Sequence, residues 1–63
     1  MSAEWISVKD KLPEPLVDVL CRYTGYEKLI EDEGWMYADG SWTGEWMYGK
    51  VTHWMPMPEP AED

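Results

Sequence analysis

Histidine occurs once in this chain, at position 53, and cysteine once, at position 21. Imidazole serves as a base or metal ligand and thiolate as a nucleophile, so these two side chains are the first to weigh. Neither has the company such chemistry needs. A zinc site takes several Cys or His at short spacing, and no second His or Cys lies near His53. His53 is therefore expected to be a structural or rim residue. Cys21 alternates with Val17 and Val19, and a thiol buried among such neighbours has a raised pKa and is inert. Core packing is its expected role.

Carboxylates and flat rings are the other candidates. Glu31 and Glu33 are two apart, as are Trp35 and Tyr37. In an extended segment the members of each pair fall roughly 6.6 Å apart on one side. Such rows can imitate the phosphates and bases of a nucleic acid, although any strand shows the same spacing. Trp35, Trp42 and Trp46 offer surfaces on which a base or sugar could stack. A phosphate-bearing ligand would also want cations, and only Lys9, Lys11, Arg22, Lys28 and Lys50 are available. No phosphate-binding glycine loop, nucleophile elbow or metal motif is present. The expectation is a protein without catalytic residues, metal or cofactor.

These residues must be positioned by a very small scaffold. A chain of 63 residues is expected to be one domain over 1–63, burying only about 60% of the surface its unfolded form exposes. Five Trp and four Tyr, with no Phe, are its means of building a core, because each buried aromatic removes on the order of 150 to 250 Å² from water. The lone cysteine fits a reducing compartment. No charged start followed by an apolar run opens the chain, and no stretch approaches the roughly 20 apolar residues of a membrane span. The chain thus reads as cytosolic. Thirteen acidic residues against five basic ones leave a net charge of -8, which repels nucleic acid and anionic lipid. The acidic groups gather in Glu27 to Glu33 and in the tail Glu59, Glu62 and Asp63.

The pattern predicts a small, mainly β fold, an antiparallel sheet of about four strands with a short N-terminal helical turn. Ser7 stands three residues before Asp10, as in a capping box, so a turn is expected around Val8 to Lys11 with Trp5, Ile6 and Leu12 folded inward. Val17, Val19, Cys21 and Tyr23 alternate with Asp18, Leu20, Arg22 and Thr24, the clearest strand in the chain. The segment between Gly25 and Gly34 reads as an acidic loop. Asp39-Gly40 suits a tight hairpin turn pairing Trp35 to Ala38 with Trp42 to Tyr48. Val51 to Met55 is expected to close a meander, and Pro56, Pro58 and Pro60 to end regular structure. So small a sheet leaves edges and an aromatic face that self-association would cover.

The two ends of the chain carry a resemblance. "WISVKDKLPEP" at Trp5 to Pro15 and "VTHWMPMPEP" at Val51 to Pro60, with "VLCRY" and "ADGSW" between them, resemble the bacterial and bacteriophage domain-of-unknown-function family 551. Its members run W-I-S-V-x-x-x-L-P at the start and V-T-H-W-M-P-L-P-x-P at the end, and Met57 stands where the family usually has Leu. The resemblance implies a phage or prophage setting and brings no enzymatic residues. It also implies that Trp5, His53 and Trp54 meet at a seam between the two ends. The expected function is a small acidic, non-enzymatic protein that binds and inhibits a host protein, a defence or nucleic-acid-processing factor with a basic surface. Glu31, Asp32, Glu33, Met47 and Tyr48 are the expected contact residues. The alternative is a module or sponge for a nucleotide-like ligand, stacked on Trp35, Trp42 or Trp46.

Overall fold

Val19, Cys21 and Tyr23 alternate with Leu20 and Arg22, and this five-residue run is the strand on which the sheet is assembled. The computed structural model describes residues 4–25 and 29–57. Within them the strands are β1 (Ile6–Ser7), β2 (Val19–Tyr23), β3 (Ile30–Gly34) and β4 (Val51–Pro56), with one helical turn, α1 (Glu45–Tyr48). They form a single antiparallel sheet in the order β1-β4-β2-β3. β2 pairs with β3 from Val19 opposite Gly34 to Tyr23 opposite Ile30, and with β4 from Val19 opposite Pro56 to Tyr23 opposite Val51.

The order is not that of a meander. β3 and β4 are both antiparallel to β2 and lie on either side of it, so they run parallel to each other. Parallel strands need a crossover of a dozen or more residues, and residues 35–50 supply it. The crossover passes over the face of β2 that carries Val19, Cys21 and Tyr23. Its Met36 and Trp42 join those three side chains, Val51 and Trp54 in the buried core, and Ile6, Val8, Ile30 and Tyr48 pack half-buried around them. The aromatics thus form much of the core, as their number predicts.

Within the crossover the expected hairpin is cut short. Met36 and Trp42 form an isolated antiparallel bridge, framed by the Tyr37 N–H donating to the Ser41 carbonyl (2.7 Å) and the Thr43 N–H to the Trp35 carbonyl (3.0 Å). Asp39-Gly40 makes the expected turn. The Asp39 carboxylate accepts from the Ser41 hydroxyl (2.6 Å) and N–H (2.9 Å), which holds its carboxyl below the usual range. Gly44 then takes φ 91°, a left-handed conformation that ends an extended run. Residues Glu45–Tyr48 form a helical turn instead of a strand, with the Met47 and Tyr48 N–H groups donating to the Gly44 carbonyl (3.0 and 2.7 Å). The alternation of Trp42, Gly44, Trp46 and Tyr48 resembled a strand only because a period of two cannot register that turn.

Further expectations are corrected. Ile30–Gly34, read as part of an acidic loop, is an edge strand, and its polar composition reflects pairing on one side only. Tyr26, Glu27 and Lys28 lie outside the described residues, as do Pro58, Pro60 and the acidic tail Glu59, Glu62 and Asp63. Val17 is exposed and precedes β2. Leu16, at φ 68°, turns the chain there, its N–H donating to the Met36 carbonyl (2.8 Å). Leu12 is exposed rather than folded inward. In the N-terminal turn the Ser7 carbonyl accepts from the Asp10 and Lys11 N–H groups (3.0 and 3.1 Å), while its hydroxyl accepts from Lys9 (3.2 Å) and not from Asp10.

Two side chains in the core are titratable. Cys21 is fully buried, and burial raises its pKa. The Tyr23 ring is equally enclosed, and its hydroxyl donates to the Thr43 carbonyl at 3.0 Å. Burial raises the phenol well above its ordinary 10.0.

Two outcomes are expected. Because the folded pKa of Tyr23 is raised, its contribution is present below the ordinary tyrosine pKa and is lost as pH climbs above 10. The stability advantage of the natural chain over Tyr23→Phe, measured by urea denaturation, will therefore shrink above that pH. Gly49 sits at φ 99°, ψ -159°, a region open to little but glycine, and a Cβ there would strike the backbone of Gly25. Gly49→Ala should cost more than the ~1–3 kcal/mol of backbone strain alone. Gly40→Ala, at φ 91° with open space around it, should cost less in the same measurement.

Candidate partner-docking surface

The two ends of the chain meet as neighbouring strands. β1 lies against β4 with Ile6 opposite Trp54 and Ser7 opposite His53. The Trp54 indole N–H donates to the Lys11 carbonyl at 2.8 Å, fastening the turn after β1 to the core. His53 is half-buried on the sheet face away from that core, with its Nδ1 2.9 Å from the Thr52 hydroxyl. Among the described residues no three His, Cys, Asp or Glu side chains converge in a way that could hold a metal ion.

Trp5 belongs to the same second face. The Arg22 guanidinium stands over its ring, 4.2 Å from the centroid, and reaches the Glu31 carboxylate at 2.9 Å. Register explains the set, since Arg22 lies between Glu31 on β3 and His53 on β4. Both members of the ion pair are partly in water, so it contributes about 0–1 kcal/mol. The cation–π contact contributes about 0.5–1 kcal/mol. Their larger effect is to orient Glu31 along the sheet.

β3 is an edge strand with Glu31, Asp32 and Glu33 all exposed. The three carboxylates differ in what they touch. Glu31 is engaged by Arg22. Asp32, opposite Cys21, accepts the Glu33 N–H at 2.8 Å and so occupies a backbone donor of the edge strand. Charged side chains of this kind guard an edge against indiscriminate strand pairing.

The crossover begins directly after β3 with Trp35, whose ring meets Tyr37 edge-on at 6.3 Å. Trp46 on α1 is 80% exposed and Met47 beside it 44%. Tyr48, an expected contact residue, instead turns inward and packs on Tyr23, with ring centroids 5.1 Å apart. Trp42, an expected stacking surface, is only 6% exposed and belongs to the core. Sequence could not separate Trp42 from Trp46, because both sit at even positions of one apparent strand. Tyr37 was legible by its spacing from Trp35, whereas the exposure of Leu29 beside the edge strand had no clear signal. Two open pockets, of about 340 and 350 Å³, flank the Pro13 turn and the start of β4, and neither includes Trp35, Trp42 or Trp46.

No curated protein and no solved structure matches this chain. One family model does, described as a protein of unknown function (DUF551), and it spans residues 4–62. The strands that the two terminal motifs form are the paired β1 and β4, and the match extends across everything between them; the chain belongs to the DUF551 family.

Proposed function

We propose that this protein is a non-enzymatic binding protein that docks on a basic surface of another protein. The observation that carries the reading is the continuity of the acidic edge strand Glu31–Glu33 with a crossover that exposes Trp35, Tyr37, Trp46 and Met47. An indole as exposed as Trp46 contributes little to folding. Burying it against a partner would supply the kind of aromatic anchor that dominates interface energetics.

Charge supports the same reading. A net charge of -8 steers a basic partner toward the molecule and is screened by salt. Carboxylates along one edge with aromatics following present the partner with acidic groups and flat rings together, the combination found on a nucleic acid strand. The setting we propose, following the phage character of the family resemblance, is the bacterial cytoplasm, where the protein would inhibit a host defence or nucleic-acid-processing factor. The stacking of a small ligand on the tryptophans has less support, because Trp42 is in the core.

Affinity purification of the tagged protein from a bacterial lysate tests this reading. A stoichiometric partner retained at low salt and lost at high salt is the expected outcome, and its absence at both would remove the proposal's basis. Once a partner is in hand, Trp46→Ala should weaken binding about tenfold or more, a loss of at least ~1.4 kcal/mol. The same substitution should alter stability by less than about 0.5 kcal/mol, as expected of an exposed side chain.

A further inference from the structure

Leu16 is the one non-glycine residue among those described with a positive φ, 68°, and its side chain is 66% exposed. A branched residue held in that region marks a segment whose path its surroundings over-determine. The segment is tied down at both ends. The Lys11 carbonyl accepts from the Trp54 indole at 2.8 Å, and the Leu16 N–H donates to the Met36 carbonyl at 2.8 Å. Between these ties Pro13 and Pro15 fix φ. The result is a rigid strap whose Pro13 is buried while Leu12, Leu16 and Val17 remain in water.

The strap borders the open groove of about 340 Å³. The lining joins its Pro13 and Val17 to Pro56 and Met57, where β4 ends, with the core residues Val19 and Trp54 at the base. The charged lining residues are Glu14 and Asp18, both exposed carboxylates. Register puts the groove at the end of the sheet where β3 passes into the crossover, since Val19 lies opposite both Pro56 and Gly34. A preformed apolar hollow with a few polar groups at its rim can take up a side chain at little cost in order.

We propose that this groove receives a bulky apolar side chain from a basic segment of the partner protein, with Lys or Arg beside that side chain meeting Glu14 and Asp18. The inference rests on the docking reading for the partner's basic character, and it adds an apolar anchor that the acidic edge strand cannot supply. Charge decides among the occupants. Both charged lining residues are acidic, so an apolar side chain flanked by cations gains there what one flanked by carboxylates loses. A second copy would bring a further charge of -8 to the same rim, and the chain's own tail, with Glu59, Glu62 and Asp63, is acidic too. A volume of about 340 Å³, near the small end of the range for bound molecules, suits one large side chain.

The test is a titration of the ¹⁵N-labelled full chain, followed by amide chemical shifts, with the end-blocked peptides Lys-Lys-Phe-Lys-Lys, Lys-Lys-Gly-Lys-Lys and Glu-Glu-Phe-Glu-Glu as probes. The first should shift the amides of Val17, Asp18, Val19, Trp54 and Met57 saturably. It should bind about tenfold more tightly than the second, equivalent to ~1.4 kcal/mol, and the third should leave those amides in place. Val17→Ser should weaken the first peptide about fivefold, and Glu14→Gln with Asp18→Asn about tenfold. All three positions are exposed, so the rest of the spectrum should be unchanged. No saturable shift in the groove up to about 10 mM, where binding would be worth less than ~3 kcal/mol, would overturn the proposal. So would equal affinity for the glycine peptide, or variants that bind as the natural chain does. Shifts confined to Glu31 to Glu33 would overturn it and leave the docking reading in place, whereas shifts in the groove alone would support it and count against the acidic edge as the contact. Groove shifts on concentrating the protein without peptide would identify a second copy as the occupant and likewise overturn it.

Discussion

Tyr23 joins the sheet to the segment that covers it. Its ring is enclosed at the end of the central strand, its hydroxyl is bonded to the Thr43 carbonyl, and Tyr48 packs on it edge-on. Thr43 and Tyr48 both belong to the crossover, so one side chain fixes the path of the chain from one edge of the sheet to the strand on the far side of β2. A buried phenol whose hydroxyl lacked that partner would cost about 1–3 kcal/mol, and the thin margin of so small a domain leaves little to absorb it. Cys21 and Trp42 sit in the core beside it and are therefore unavailable for chemistry or stacking.

Covering one face of the sheet with a single crossover has a consequence for the other. The second face is organised by pairs across strands, with Trp5, Arg22 and Glu31 in one row and His53 alongside. These contacts are individually weak and half in water. They keep side chains aligned rather than burying them, and the same is true of the carboxylates on β3, which guard an edge while holding a concentrated negative charge. Acidic side chains lie along one edge of the sheet, while Lys9 and Lys50 lie near the bulge at the start of β4.

Much of this was legible in the residues themselves. The strand around Cys21, the turn at Asp39-Gly40 and the strand from Val51 depend on local pattern and lie where it puts them, although Val17 falls outside the first strand and Pro56, expected to end regular structure, is the last residue of β4. The two terminal motifs were enough to identify the family. Trp42 and Trp46 show where such reading stops, because one is buried and the other largely in water although both follow the same period. The difference arises at Gly44, whose positive φ turns the chain into a helical turn between them.

The sequence by itself determined a mainly β domain with an aromatic core, one central strand and a surplus of negative charge, since periodicity and composition are properties of neighbouring residues. The tertiary structure alone decided the order of the strands, the conversion of an acidic segment into an edge strand, and the gathering of Lys9 and Lys50 around one bulge. Each of those depends on contacts between residues far apart in the chain, such as Ser7 with His53 and Arg22 with Glu31, and no local pattern specifies which distant partner a half-buried strand will pair with.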